Sequence, residues 1–200
     1  MTTAQTAPAP AQKITTFLWY DNQAEEAVNF YVSIFKNSRI GDIVRYGDTG
    51  PGPKGQVMTA EFHLAGQQFT ALNGGPQFKF TEAISLVVNC ETQEEVDELW
   101  EKLSEGGEKV QCGWLNDKFG FSWQIVPTGL RDLLKDKDPE RTNRVMQAVM
   151  QMKKLDIAEM EKAAEIGGDR LVVTGAEAEE VAKLVMAATE ALGDLVAAVA

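Results

Sequence analysis

The chain has a single histidine, His63, two residues beyond Glu61. On an extended strand that spacing puts imidazole and carboxylate on one face. Either could there take a proton from a substrate, or the histidine could donate one metal ligand. One imidazole and one carboxylate do not complete a metal site, and the plainer reading of His63 is a rim histidine at a strand end. Cys112 precedes Gly113 and Trp114 and would act as a nucleophile only beside an activating base. No second histidine exists to supply one, so a structural thiol is expected. Lys54 sits among glycines and prolines in residues 47–55, yet GxxxxGK[ST] fits no register. No strand–GxG–helix opening marks a place for a nucleotide-like methyl donor either.

The residues around these candidates alternate in character. Met58, Ala60, Phe62 and Leu64 interleave with Thr59, Glu61 and His63. By the same reading Phe17 and Trp19 oppose Thr16, Ile84 and Leu86 oppose Ser85, and Trp123 and Ile125 oppose Ser122 and Gln124. The apolar sides are expected against helices. The other sides would line a polar cup with Thr16, Thr59, Glu61, His63, Ser85, Ser122 and Gln124, and Trp114 is the tryptophan placed to touch a ligand.

The elements that must position these residues follow from periodicity. Residues 13–20 (KITTFLWY) read as a strand, and Asn22 with Glu25 reads as a capping-box-like start of a helix running to about Phe35. Three strands follow over 39–46, 56–64 and 68–72, the last two joined by Ala65-Gly66. A second pass begins with a strand over 83–89. A helix follows, with Thr92 and Glu95 as its capping box, and then short strands over 108–112, 114–116 and 121–126 with a turn at 117–120. A shift of about 69 positions lays Ala27, Phe30, Tyr31 and Ile34 onto Val96, Leu99, Trp100 and Leu103, so the chain looks duplicated. Two such units can set their sheets side by side, helices outside, around a concave surface. Beyond Pro127 the pattern is helical over 130–135 and from Asp138, with Pro139 at the first position, to about Ala164.

Composition narrows the function classes. The 200 residues, 44% of them hydrophobic and 24% charged, describe a globular protein rather than a disordered one. The net charge of −11 repels a phosphate backbone, and no basic patch offsets it, so no nucleic acid is expected as a partner. No clean apolar span suits a membrane, because Glu190 and Asp194 interrupt residues 184–200. Two cysteines, Cys90 and Cys112, are too few for a disulfide framework and point to a reducing cytoplasm. Residues 1–12 carry no charge and read as a flexible leader without the features of a signal peptide. Residues 165–200 read as an Ala/Glu-rich tail to which no chemistry is assigned.

The stretches FLWYDNQAEEAVNFYVSIF, SLVVNCETQEEVDELWEKL and CGWLNDKFGFSWQIVP resemble the PhnB-like proteins, labelled 3-demethylubiquinone-9 3-methyltransferase domain. These belong to the glyoxalase/bleomycin-resistance, or vicinal oxygen chelate, superfamily. The resemblance spans residues 13–164 and not the tail. It implies an α+β fold, the glyoxalase/bleomycin-resistance/dihydroxybiphenyl dioxygenase fold, of paired βαβββ modules over about 13–74 and 83–127, with C-terminal helices added. It also implies a homodimer. Enzymes of the superfamily hold a divalent ion with His and Glu from four strands, and the matching places here are Thr16, Thr59, Ser85 and Gln124. Neutral oxygens of this kind are weak ligands for a catalytic ion, so no metal and no other cofactor is expected. The expected function is small-molecule binding in a polar, metal-free cup, with the reaction unassigned. The alternatives are an enzyme on a small oxygenated substrate using Glu61 or His63, matching the methyltransferase label or a glyoxalase-like lyase or isomerase, and an antibiotic-sequestering resistance protein.

Overall fold

The computed structural model describes residues 12–166, so the leader and tail expected from the sequence lie almost wholly outside it. Strand β1 (Thr16–Tyr20) leads into helix α1 (Ala24–Ile34), and β2 (Arg39–Arg45), β3 (Val57–Leu64) and β4 (Gln67–Asn73) follow. They form one sheet in the order β1-β4-β3-β2, with β1 parallel to β4 and the other pairs antiparallel. The order then repeats in β5 (Ser85–Cys90), α2 (Gln93–Ser104), β6 (Glu108–Lys109), β7 (Trp114–Asn116) and β8 (Ser122–Pro127). The second sheet runs β5-β8-β7-β6, with β5 parallel to β8. Helices α3 (Thr128–Leu134), α4 (Pro139–Gln151) and α5 (Ile157–Glu165) complete the described chain. This is the doubled βαβββ, α+β architecture expected from the sequence.

The local signals that hold are those with a steric reason. Ala65 and Gly66 both take positive φ, 48° and 89°, as a two-residue hairpin matched to the strand twist requires. Thr92 accepts the Glu95 amide at 3.2 Å as expected, while Glu95 reaches back one residue beyond the expected box, to the Glu91 amide at 2.8 Å. Asp138 caps α4 through the Glu140 amide, with Pro139 behind it. The start of α1 differs. Its cap position is Gln23 without a side-chain bond, and the Ala24 amide is met instead by the Asn73 side chain from the end of β4, at 2.8 Å. Asn22 therefore does not cap, and Glu25 pairs with Arg45 at 2.9 Å. The expected strand over 108–112 stops at Lys109. Cys112 turns to a φ of 58° and, with Gly113, donates its amide to the carbonyls of Met152 and Lys153, both at 2.7 Å. The chain leaves the sheet there to dock on the end of α4.

Each sheet turns one side to the helices, and the two helix-facing sides share one core. Tyr31 of α1 stands between Phe62 of the first sheet and Trp123 of the second, with ring centroids 6.2 and 5.3 Å away. Phe35 stacks on the same indole at 5.5 Å. At the centre lies Asp117, only 2% exposed. It accepts Tyr31 Oη–H at 2.6 Å, Trp123 Nε1–H at 2.8 Å and the amides of Phe119 and Phe121 at 2.9 and 3.0 Å. Tyr20 adds its hydroxyl to that of Tyr31 at 3.2 Å. Four donors on one carboxylate give a buried charge the partners it needs. Burial nonetheless holds the Asp117 pKa above the usual carboxylate range, and burial also raises both tyrosines.

A second apolar cluster, with Leu130, Val145, Val149, Leu155 and Met160, joins α3, α4 and α5. Among the described residues no helix is long and apolar enough to cross a membrane.

Candidate site on the two open sheet faces

Because the inner sides share one core, the other sides of the two sheets face outwards. The expected arrangement, with the two sheets side by side around a concave surface, is therefore not formed by the two modules of the described chain. Among the described residues no hydrogen bond links the open face of one sheet to that of the other.

On the first sheet the register builds the open face in rows. Phe17, Thr70 and Glu61 form one, Trp19, Leu72 and Thr59 a second, and Gln68, His63 and Arg39 a third. Thr59, Glu61 and His63 thus share a face, as expected. Thr16 does not join them. It pairs with Phe69 and stands on the helix side with Leu18 and Tyr20, which are 4% and 3% exposed. Phe17 and Trp19, assigned to the helix side from sequence, look out instead. Trp19 is held there by a bond from its indole N–H to the Gly75 carbonyl at 2.8 Å and by the edge of Phe78. A Cβ on Gly74 would overlap the Trp19 ring, which is why the chain passes here with glycine.

The error of one residue has a structural cause. Three residues, 21–23, separate β1 from α1, but only two, 91 and 92, separate β5 from α2. A shift of 69 positions therefore aligns the helices and misaligns the strands by one, and one step of register turns every side chain to the other face.

On the second sheet Ser85, Ser122, Asn116 and Glu108 form one row, in which Ser122 is only 1% exposed, and Val87, Gln124 and Trp114 form the next. All four residues expected from this module, Ser85, Trp114, Ser122 and Gln124, share that face. Gln124 donates to Ser85 at 2.8 Å, and Ser122 donates to Asn116 at 2.6 Å. Asn116 donates to Glu82 at 3.2 Å. Asn116 and Glu82 were not read from the sequence. The turn at 117–120 contained the signal for Asn116, since a hairpin there sets it opposite Ser122.

The two titratable candidates are not joined to each other. Glu61 accepts a bond from Gln68 at 3.4 Å. His63 Nε2 lies 3.3 Å from Arg39 Nη2. The other ring nitrogen, Nδ1, is buried without a partner among the described residues. Cys112 has Met150 Sδ at 3.7 Å as its neighbour. Cys90 is buried, and burial pushes its thiol up to about 12. Both cysteines are free.

These donors fit a divalent metal ion poorly. The first face offers the Glu61 carboxylate and the His63 imidazole in different rows, the imidazole already facing a guanidinium, and the second offers Glu108 in the row of Asn116 and Ser122, with Glu82 already bonded to Asn116. The rest are hydroxyls and amides, whereas catalytic ions bind through imidazole, thiolate and carboxylate groups.

Residues 12–126 match the family described as 3-demethylubiquinone-9 3-methyltransferase. The chain belongs to that family. With the doubled βαβββ fold, this places it in the glyoxalase/bleomycin-resistance superfamily, as the sequence resemblance implied. It is similar to a PhnB protein from Bacillus cereus that carries the same methyltransferase label. The identity is 45% and the TM-score 0.55, over 58% of this chain and all of the other. The protein PA1353 from Pseudomonas aeruginosa has the same fold, at 20% identity and a TM-score of 0.50, over 58% of this chain and 98% of the other. No curated protein matches the chain.

Proposed function

We propose that this PhnB-like protein is a homodimer that binds a small molecule in a polar, metal-free cup built between copies. The first sheet's open face on one copy would supply Thr59, Glu61 and His63. The second sheet's open face on its partner would supply Ser85, Ser122, Gln124 and Trp114. The observation that carries this reading is the apolar exposure on those same faces and at their edges. Phe17 is 57% exposed, Val87 49% and Ile84 68%. Large apolar groups around a polar patch mark a surface made to be covered. β1 and β5 are also edge strands of their sheets, and an unpaired strand edge invites a partner. Free thiols and the absence of a membrane-crossing helix among the described residues fit a cytoplasmic setting.

The second sheet's polar residues are already bonded to one another, which pre-orients hydroxyl and amide groups toward a ligand with its own donors and acceptors. Glu61 favours a second reading, an enzyme that takes a proton from a small oxygenated substrate. Its single long bond to Gln68 leaves carboxylate oxygens free to act as a base. Thr16, turned inward, has no part in either reading.

Elemental analysis of protein purified without chelator, with mass spectrometry of small molecules released on denaturation, tests the proposal. The expected result is an organic ligand without stoichiometric metal. One transition-metal ion per chain would overturn it. Loss of any turnover in the Glu61→Gln variant, with ligand binding retained, would select the enzyme reading.

A further inference from the structure

A cavity of about 370 Å³ opens where the two modules meet, on the helix side of the sheets. Phe35, Phe69, Leu99 and Trp123 give it an apolar floor, and residues 86–89 of β5 run along it. β5 is the end strand of its sheet, so its outer backbone groups have no neighbouring strand. The rim carries both signs of charge, Glu95 and Glu98 against Lys36. Glu98 is paired with Lys102 at 2.6 Å and also feels the Lys36 charge. Glu95 accepts the Glu91 amide at 2.8 Å and forms no ion pair among the described residues. Such a rim selects neither a small anion nor a small cation, so shape and apolar contact decide what enters.

Beside the mouth stands an apolar side chain with nothing to cover it. Ile14 is 85% exposed, the most exposed large hydrophobic residue among those described. The segment that carries it runs along β4. Gln12 exchanges hydrogen bonds with the Gln68 backbone at 2.9 and 3.0 Å, and Thr16 pairs with Phe69. Gln67 and Phe69 line the cavity. Knob and hollow therefore lie next to each other on one patch of one chain. A two-fold interface joins a patch to itself, so each copy's knob meets the other's hollow. Lys13, the neighbour of Ile14, forms no ion pair among the described residues and complements Glu95 in charge.

We propose that this cavity receives a second copy of the chain, with Ile14 of each copy seated on the floor formed by Phe69, Leu99 and Trp123 of the other. Lys13 then meets the partner's Glu95, and residues 13–17 lie along the open edge of the partner's β5. The inference rests on the homodimer reading above and names the contact that builds it. The β5 edge, Val87 and Phe17 fall inside one continuous interface, and the first sheet of one copy continues into the second sheet of its partner.

Sedimentation equilibrium of the full chain with two variants, alone and mixed, tests the contact. Ile14→Asp changes the knob, and Gln67→Trp, at an exposed position, blocks the mouth of the hollow. Each is expected to raise the dimer dissociation constant about a hundredfold, because the symmetry repeats the damaged contact. An equimolar mixture should regain about tenfold, since one of its two contacts is then intact on both sides. Both sites are exposed, so the urea midpoint at dilutions where the wild type is monomeric should not move in either variant. No recovery on mixing would overturn the proposal, by showing that Ile14 does not cross between copies. Wild-type affinity in Ile14→Asp would also overturn it and leave the cup between copies standing. A wild type that is monomeric at every concentration would overturn both this contact and the homodimer reading.

Discussion

The two βαβββ modules repeat one plan and differ in everything that faces away from the core. In the first, β2, β3 and β4 are seven, eight and seven residues long, with residues 46–56 looping between β2 and β3. In the second, β6, β7 and β8 have two, three and six. The first open face carries Arg39, Glu61 and His63, whereas the second carries serines, asparagine and glutamine bonded in pairs, with Glu108 at its edge and Glu82 against Asn116. The inward sets match far better: Ala27 and Tyr31 in α1 answer to Val96 and Trp100 in α2, all fully buried or nearly so. The two modules share what the common core needs and differ on their outer faces, one carrying both signs of charge and the other mostly hydroxyls and amides with carboxylates beside Asn116.

The largest expected effect comes from breaking the junction that both modules share. Asp117→Ala would leave the Trp123 indole N–H and the Phe119 and Phe121 amides without their acceptor, and the Tyr31 hydroxyl with only that of Tyr20. It should cost about 3–5 kcal/mol of stability in urea unfolding. Asp117→Asn keeps one acceptor and should cost less, about 1–3 kcal/mol. The Asn variant also sharpens the point through pH. The folded pKa of Asp117 is raised by burial, so the native state binds this proton more tightly than the unfolded chain. The aspartate's contribution is fully present below its unfolded value of about 3.9 and falls as pH rises through the folded value. The advantage of the wild type over Asp117→Asn should therefore shrink as pH rises across that window. An advantage that grows instead would show that hydrogen bonding outweighs burial.

A smaller effect separates the modules by how each starts its helix. Asn73 caps α1 from another strand, and its amide also donates to the Val57 carbonyl at 2.9 Å. Asn73→Ala should cost about 2–3 kcal/mol, because it leaves two buried backbone groups unmet. Thr92 caps α2 from its own chain end at an exposed site, and Thr92→Ala should cost about 1 kcal/mol. Equal losses in thermal or urea unfolding would remove this difference between the modules.

The legible parts of the sequence are those where one signal has one meaning. In β3, apolar and polar residues alternate cleanly, and the faces of Phe62 and Glu61 follow. The 3.6-residue stripe of α2 and the caps at Thr92 and Asp138 are equally direct. In β1, Phe17 to Tyr20 are four large apolar residues in a row. Alternation is then silent about which side is inner, and the repeat spacing misleads by the one residue missing between β5 and α2. Asn22 sits where a cap belongs, but Asn73, 49 positions away, fills that role, which no local pattern reveals. Asp117 is visible as a turn residue and not as the acceptor at the centre of the core. That Ser85, Trp114, Ser122 and Gln124 share one face of the second sheet is readable strand by strand. That the two faces look apart within one chain is not, because it depends on which sides of the sheets share the helices.

Sedimentation velocity of the wild type beside Phe17→Glu tests most directly whether the cup lies between copies. The account predicts a wild-type species of twice the 21.9 kDa chain mass at micromolar concentration. It predicts a folded monomer for Phe17→Glu that no longer retains the small molecule. A wild-type monomer that holds its ligand at the Ser122–Gln124 face would contradict it.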